Sequence, residues 1–259
     1  MDLGISGRKA IVCASSRGLG RACAFALAQA GCEVVVNGRD GKTVAAAAEE
    51  LRRTTAAKVT AVVADVATAE GQAALLGACA EPDILVNNNA GPPFRDFREL
   101  TRAQMIDGVI ANMVVAIELT QKVIDSMCAK NFGRIVNITS GSVKMPLSGL
   151  DLSSGARAGL TAFLAGVARS VAASNVTINF LLPGAFDTER LASNTAMTAK
   201  KRGISIEETR KERMASVPAK RFGTPAEFGD ACAFLCSAQA GYITGQSLLI
   251  DGGIYPGVL

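Results

Sequence analysis

The stretch from Ala10 to Arg21 constrains the fold more than any other part of the chain. Ala10-Ile11-Val12-Cys13 is an apolar run with the length of a buried strand, and it empties into Ala14-Ser15-Ser16-Arg17-Gly18-Leu19-Gly20. Ala22, Phe25, Ala26 and Ala28 then recur at helical spacing, and Gly31 stands where a helix C-cap is wanted. A strand, a glycine-containing turn and a helix start in direct succession bring free backbone N–H groups and the positive end of a helix to one spot. Missing side chains let a phosphate approach it. The same small residues also suit close packing of a helix on a strand, so this turn alone leaves both readings open.

The pattern repeats along the chain. Strands are predicted over Glu33–Val36, Lys58–Val63 and Asp83–Val86, with helices over Thr43–Arg53 and Ala69–Ala80 between them. Three βα units in a row imply a parallel sheet with right-handed crossovers. Further strands are predicted over Arg134–Ile138, Val176–Leu182 and Ser247–Ile250, and helices from Thr101 to about Lys130 and over Gly155–Ala173. Thr101 with Gln104, Ser205 with Glu208, and Thr224-Pro225 with Glu227 are helix-start patterns. Aromatic residues are only 5% of a chain that is 49% hydrophobic, so the core is built from Ala, Val, Ile and Leu, as a helix-covered parallel sheet requires. The 259 residues show no repeat or linker and read as one domain.

Composition also removes whole classes of function. A net charge of +4 from scattered basic residues gives no stripe for nucleic acid. No uninterrupted apolar run approaches the ~20 residues of a membrane span, and Met1–Lys9 lacks the layout of a secretory signal. The seven cysteines lack zinc-ligand spacing and read as small core residues of a cytoplasmic protein. There is no histidine, which excludes His-dependent nucleophile pairs and His-based metal sites.

Several short motifs carry a more specific signal. They are Ser15-Ser16-Arg17-Gly18-Leu19-Gly20, Asp65-Val66, and Leu85-Val86 running into Asn87-Asn88-Asn89-Ala90-Gly91. Asn112, Ile135–Ile138 before Ser140, and Pro183-Gly184 follow; Arg221–Pro225 and Ile243–Gln246 before Asp251-Gly252-Gly253 complete the set. In this order and spacing they resemble the short-chain dehydrogenase/reductase family, especially bacterial 3-oxoacyl-thioester reductases, over nearly the whole chain.

The resemblance implies an α/β fold: a Rossmann-type doubly wound parallel sheet of about seven strands in a single NAD(P)-binding domain, 1–259, with a dinucleotide at the C-terminal strand ends. The cofactor contacts it implies are Ser15, Ser16, Arg17, Gly18, Leu19, Gly20, Asn37, Arg39, Asp65, Val66, Asn87, Asn88, Ala90, Pro183, Gly184 and Thr188. Asp65 would hold the adenine edge, and Thr188 the nicotinamide amide or a nearby phosphate. The family's first turn usually begins Thr-Gly, where this chain has Cys13-Ala14; a backbone-made phosphate site accepts Ala14 if its φ is negative. NAD-specific members place an acid after the second strand. Here Asn37-Gly38-Arg39 stands there, with Arg17 facing it, and two guanidiniums suit a 2′-phosphate, although Asp40 could neutralise Arg39 in part. NADP is therefore expected over NAD. The family's Asn-Asn-Ala-Gly fits the asparagine turn in two registers, starting at Asn87 or at Asn88.

The catalytic pattern breaks on one helix. Family reductases use an Asn, a Ser and a Tyr-x-x-x-Lys pair, in which the Lys lowers the Tyr pKa and the Tyr protonates the carbonyl oxygen. Asn112 and Ser140 match, but Ser153 stands at the Tyr position and Arg157 at the Lys position. The only tyrosines are Tyr242 and Tyr255. Serine is too weak an acid to replace an activated phenol, and Arg stays protonated at physiological pH. The resemblance softens the break, because family 2,4-dienoyl-CoA reductases have Ser at the Tyr position, although they keep the Lys. Lys144, soon after Ser140, is a further candidate acid or a solvated loop residue.

Three readings follow: an NADPH-dependent reductase of a carbonyl or acyl-thioester substrate, an enoyl-thioester reductase, or a catalytically inactive NADP-binding protein. The polar stretch 187–217 is expected to be a helical lid, made basic by Lys200, Lys201, Arg202, Arg210, Lys211 and Arg213; these would attract an acidic carrier or form a solvated face. A homotetramer or homodimer is implied by the family.

Overall fold

A computed structural model describes residues 2–257. The strands are β1 Lys9–Val12, β2 Glu33–Gly38, β3 Val59–Val63, β4 Ile84–Asn87, β5 Gly133–Ile138, β6 Val176–Pro183 and β7 Ser247–Ile250. They form one seven-stranded sheet in the order β3-β2-β1-β4-β5-β6-β7, and every pairing is parallel. The helices are α1 Gly18–Gln29, α2 Gly41–Thr55, α3 Ala69–Ala78, α4 Arg102–Val109, α5 Val115–Ala129, α6 Asp151–Val171, α7 Glu189–Arg202, α8 Ile206–Ser216 and α9 Pro225–Cys236.

Alternation along each strand divides the core into two layers. Ala10 and Val12 of β1, with Ile84 and Val86 of β4, join Leu27 of α1, Leu51 of α2 and Phe228 of α9. Ile11, Cys13 and Leu85 face the other way and pack with Leu75 of α3, Val123 of α5 and Leu164 of α6. Because both faces are covered, β1 and β4 read as short continuous apolar runs rather than alternating ones, and β5 is buried along its whole length. The chain winds from β1 out to β3 and then returns to place β4 on the other side of β1. A crevice at the C-terminal ends of β1 and β4 follows from that reversal.

Two helix boundaries differ from expectation. The segment expected as one helix to Lys130 contains a π-helical turn, Ile110–Val114, between α4 and α5. Together, Arg102–Ala129 is long and apolar enough to cross a membrane by length and composition. Leu119, Val123 and Met127 of its second half are nevertheless packed in the core. Helix α6 starts at Asp151, four residues before the expected Gly155, because Gly149 turns the chain with φ +77° and donates its N–H to the Asp151 carboxylate at 3.2 Å. Ser153 consequently lies in the first turn of α6.

The capping box at Thr101/Gln104 forms, as does that at Thr224/Glu227 with Pro225 in the first turn. Ser205 caps α8 by accepting from Glu208 N–H. The excursion after β6 folds as α7 and α8, with Gly203 at φ +69° between them.

Candidate active site

The turn after β1 is held by its neighbours. Asn37 Oδ1 accepts from Ala14 N–H at 3.1 Å, and Asn88 Nδ2 donates to the Ala14 carbonyl at 3.2 Å. These two bonds pin Ala14 at φ +45°, not the negative φ expected; the turn keeps its glycine-like shape without the glycine. Gly18 has φ +56° and open space where a Cβ would sit. At Gly20 a methyl would overlap the Ala14 carbonyl and come within 2.8 Å of Asn88 Nδ2. Helix α1 has no side-chain cap, whereas Asp40, Thr68 and Thr188 cap α2, α3 and α7. Open N–H groups at a positive helix end beside a bare glycine form a cradle that fits a dinucleotide diphosphate.

Two residues expected to touch the cofactor are spent on the turn itself. Ser15 is fully buried, donates from Oγ to the Val12 carbonyl at 2.6 Å and accepts from Asn37 N–H at 2.9 Å. The Asn37 amide donates to the carbonyls of Val62 and Ala64 while its oxygen takes Ala14 N–H. With 1% of its surface exposed, Asn37 ties β1, β2 and β3 together and presents no side-chain donor to a ligand. Its expected cofactor contact therefore cannot come from the side-chain amide.

Arg17 and Arg39 remain on the surface of the crevice, each 3.7 Å from a carboxylate: Arg17 from Glu189 and Arg39 from Asp65. Asp40, which could neutralise Arg39 in part, instead accepts at its carboxylate from Thr43 N–H at 2.9 Å, and bonding from Thr43 holds its carboxyl below the usual range. Asp65 also accepts from Ala67 N–H at 2.9 Å, and the Val66 side chain is in the core. Ser16 borders Gly38, whose missing Cβ would come within 2.7 Å of the Ser16 hydroxyl. Leu19 packs its side chain against the core.

Strand β4 continues without a bulge through Asn87, paired with Asn137 of β5. The Asn87 amide donates to Asn137 Oδ1 at 3.0 Å. Asn89 donates to the Ala111 carbonyl and accepts from Ala90 N–H. Pro183 ends β6 beside Ile250, and a Cβ on Gly184 would come within 2.6 Å of Asp251. Thr188 accepts from Leu191 N–H as the cap of α7.

Asn112 lies inside the π-helical turn, a device that re-aims side chains at functional sites. Its amide donates to the Gly108 carbonyl at 3.1 Å, while its Oδ1 is buried without a partner, as is Asn87 Oδ1. Both residues line a cavity of about 20 Å³ with Arg157, enough for one water.

Arg157 is 7% exposed. Its Nη1 donates to the carbonyls of Ile138 at 2.7 Å and Thr139 at 3.0 Å, and its Nε donates to Ser153 Oγ at 3.2 Å. Burial, assisted by the charge of Arg190, brings its pKa down to about 10. Ser140 follows Thr139 directly and accepts from Ser142 N–H, which leaves its hydroxyl proton for another acceptor. One guanidinium thus ties the serine at the Tyr position to the strand end that carries Ser140. Lys144 is turned to the C-terminal segment, its ammonium 5.7 Å from the Tyr255 ring centroid. Tyr242 is fully exposed.

Two contributors escaped the sequence reading. Arg190 reaches Gly91 from α7, where only later basic residues of the excursion drew notice. Three of those are internally engaged: Arg210 pairs with Asp187, Arg202 with Glu212, and Arg213 with Thr195. The π-helical turn has no compositional mark of its own.

Fold and site together define a dinucleotide-dependent oxidoreductase of the doubly wound class. A family model described as enoyl-(acyl carrier protein) reductase matches residues 13–255. The 3-oxoacyl-[acyl-carrier-protein] reductase of Aquifex aeolicus is 30% identical over 259 residues, 98% of this chain and 100% of that protein. Among solved structures, the L-sorbose reductase of Gluconobacter frateurii complexed with NADPH and L-sorbose is similar at a TM-score of 0.94 and 28% identity, covering both chains completely. A 3-oxoacyl (acyl-carrier-protein) reductase from Agrobacterium tumefaciens with NADP bound gives a TM-score of 0.86 at 28% identity, over 97% of this chain and 95% of that one. The chain belongs to the short-chain dehydrogenase/reductase family.

Proposed function

We propose that this protein is an NADPH-dependent carbonyl reductase of the 3-oxoacyl-thioester type, in which two serines and a buried guanidinium hold the substrate oxygen. The observation that carries this reading is the Arg157 bridge, which joins Ser153 on α6 to the strand end that carries Ser140. NADPH, when bound, supplies the hydride. The turn 14–20 and the open N–H groups of α1 hold its diphosphate, and Arg17 and Arg39 exchange their exposed carboxylate partners for the 2′-phosphate.

Ser140 and Ser153 each offer a hydroxyl proton to the carbonyl oxygen. Negative charge on that oxygen is stabilised by both donors, and through Ser153 Oγ by the Arg157 cation behind it. Asn112, Asn87 and Arg157 line a water-sized cavity, and a water held there relays a proton from solvent, giving one to the oxygen and taking one in its place, where a phenol serves elsewhere in the family. The absence of a phenol on α6 favours one second reading, reduction of a conjugated C=C bond, in which the same donors stabilise an enolate.

Supporting a homo-oligomer, Met105, Ile106 and Val109 on α4, Ile110 at the start of the π-helical turn and Phe163 on α6 are exposed, an apolar face suited to a second copy of the chain. Seven free thiols support a reducing, cytoplasmic setting. Helices α7 and α8 stand as a lid over the crevice, Glu189 reaching Arg17 of the first turn.

The test is NADPH oxidation with 3-oxoacyl and 2-enoyl thioesters. Turnover of the 3-oxoacyl substrate supports the first reading, and turnover of the enoyl substrate alone selects the second. NADPH binding without turnover of either overturns both and leaves a binding protein.

A further inference from the structure

Two cations converge on one glycine of the crevice from different helices. Nη2 and Nη1 of Arg190, in the first turn of α7, stand 2.9 and 3.2 Å from the point where a Cβ on Gly91 would sit. Nη2 of Arg157, on α6, stands 3.5 Å from the same point. Among the described residues, no carboxylate pairs with either. Glu189, next to Arg190, is turned to Arg17, and Asp187 is held by Arg210 at 2.8 Å. Nη1 and Nε of Arg157 are bound to Ile138, Thr139 and Ser153, so Nη2 is the part of the buried guanidinium left for the crevice.

Like charges this close repel, and the positive end of α7 adds to the same field. The Thr188 hydroxyl is committed to Leu191 N–H and does not offset it. An oxyanion between the guanidiniums reverses the sign of the interaction and takes charge-assisted hydrogen bonds from both. Gly91 keeps the approach free of a side chain.

We propose that Arg157 on α6 and Arg190 on α7 form a two-guanidinium oxyanion site over Gly91. The group it takes is an oxyanion: the face of the cofactor diphosphate turned away from the α1 cradle, or an acidic group on the substrate. The proposal rests on the NADPH-reductase reading above, and its site is separate from the N–H cradle of α1 and from the Arg17/Arg39 pair.

The test uses Arg190→Ala and Arg190→Lys, exposed substitutions whose folding is checked by circular dichroism. Calorimetric titration with NADPH at low and moderate salt reads the cofactor arm. There Arg190→Ala weakens binding about 10-fold and flattens the salt dependence, and Arg190→Lys recovers part of the loss. For the substrate arm, NADPH binding stays as in the wild type, but KM for acetoacetate rises about 10-fold while KM for its methyl ester does not move. Unchanged NADPH affinity together with an unchanged acid-to-ester ratio overturns the proposal. A wild-type protein that binds no NADPH sinks the reductase reading instead. Titration with inorganic pyrophosphate then decides the oxyanion site by itself: binding lost in Arg190→Ala upholds it, and no wild-type binding overturns it.

Discussion

Arg157 Nε donates to Ser153 Oγ at 3.2 Å, one helical turn away on α6, and the pair occupies the two positions where the family carries its Lys and Tyr. The replacement changes the direction in which the charge acts. A lysine ammonium on a flexible stem reaches toward a ribose, whereas the planar guanidinium is folded back onto the carbonyls of Ile138 and Thr139. Through Nε, its charge acts on position 153 by way of a hydroxyl.

The first prediction concerns stability. Removing the guanidinium in Arg157→Met leaves two buried carbonyls and the Ser153 hydroxyl without their donor, which costs about 2–4 kcal/mol. Arg157→Lys recovers part of that with a single ammonium. Urea unfolding of the three proteins checks the order; an Arg157→Met midpoint equal to wild type would show that the carbonyls find other partners.

Ala14 supplies a prediction of opposite sign. An L-residue at φ +45° is strained, and glycine adopts that conformation freely. Ala14→Gly therefore raises stability by about 1 kcal/mol, with NADPH affinity kept or improved, because Asn37 and Asn88 bind only backbone atoms of this residue. Thermal unfolding and cofactor titration of the variant measure both effects. A lower midpoint would mean that the methyl contributes packing that outweighs the strain.

Glu227 sets an acid-side dependence. Bonds from Arg221 and from Thr224 N–H hold its carboxyl down to about 2 from an ordinary 4.5. A depressed folded pKa means that the charged form is favoured in the folded state. The contribution is full above about 4.5 and is lost as pH falls toward 2. Glu227→Gln keeps an acceptor for the capping box but removes the charge, so the gap between wild type and variant is largest near neutrality and closes across that window. Unfolding midpoints at a series of pH values read it directly, and a gap independent of pH would refute the assignment.

Much of the fold was legible because apolar run length, glycine placement and caps are local properties. Ala10–Cys13 feeding Gly18 and Gly20 needed no distant partner to be read as strand, turn and helix. Asn37 was misread for the opposite reason. Its type and its place at the end of the second predicted strand suggest a cofactor contact, but its amide is consumed by Val62 and Ala64 at the end of β3 and by Ala14 just past β1, pairings that exist only once β3 and β1 flank β2. Arg190 was invisible on the same ground. Nothing in its own neighbourhood in sequence distinguishes it from the other basic residues of the excursion, and its meaning comes from meeting Arg157 across Gly91. Ser153 and Arg157 were found because a motif with fixed i, i+4 spacing survives substitution of both its members.

That spacing permits a reciprocal experiment. In Ser153→Tyr with Arg157→Lys, the smaller lysine vacates guanidinium volume beside position 153, and a phenol projects from the first turn of α6 toward Ser140. The lysine cation lowers the phenol pKa, as the guanidinium polarises the serine now. A positioned general acid contributes about 10²–10⁴-fold to proton transfer, so kcat for a 3-oxoacyl thioester rises by that order if the native enzyme lacks such an acid. The single change Ser153→Tyr gains less, because the Arg157 side chain keeps its place against Ile138 and crowds the ring. NADPH affinity stays within a few-fold in every case, since the diphosphate cradle lies on α1 and position 157 keeps a cation. If the double variant binds NADPH, folds as wild type and turns over no faster, proton delivery is not what limits this enzyme, and the two serines with their ordered water already suffice.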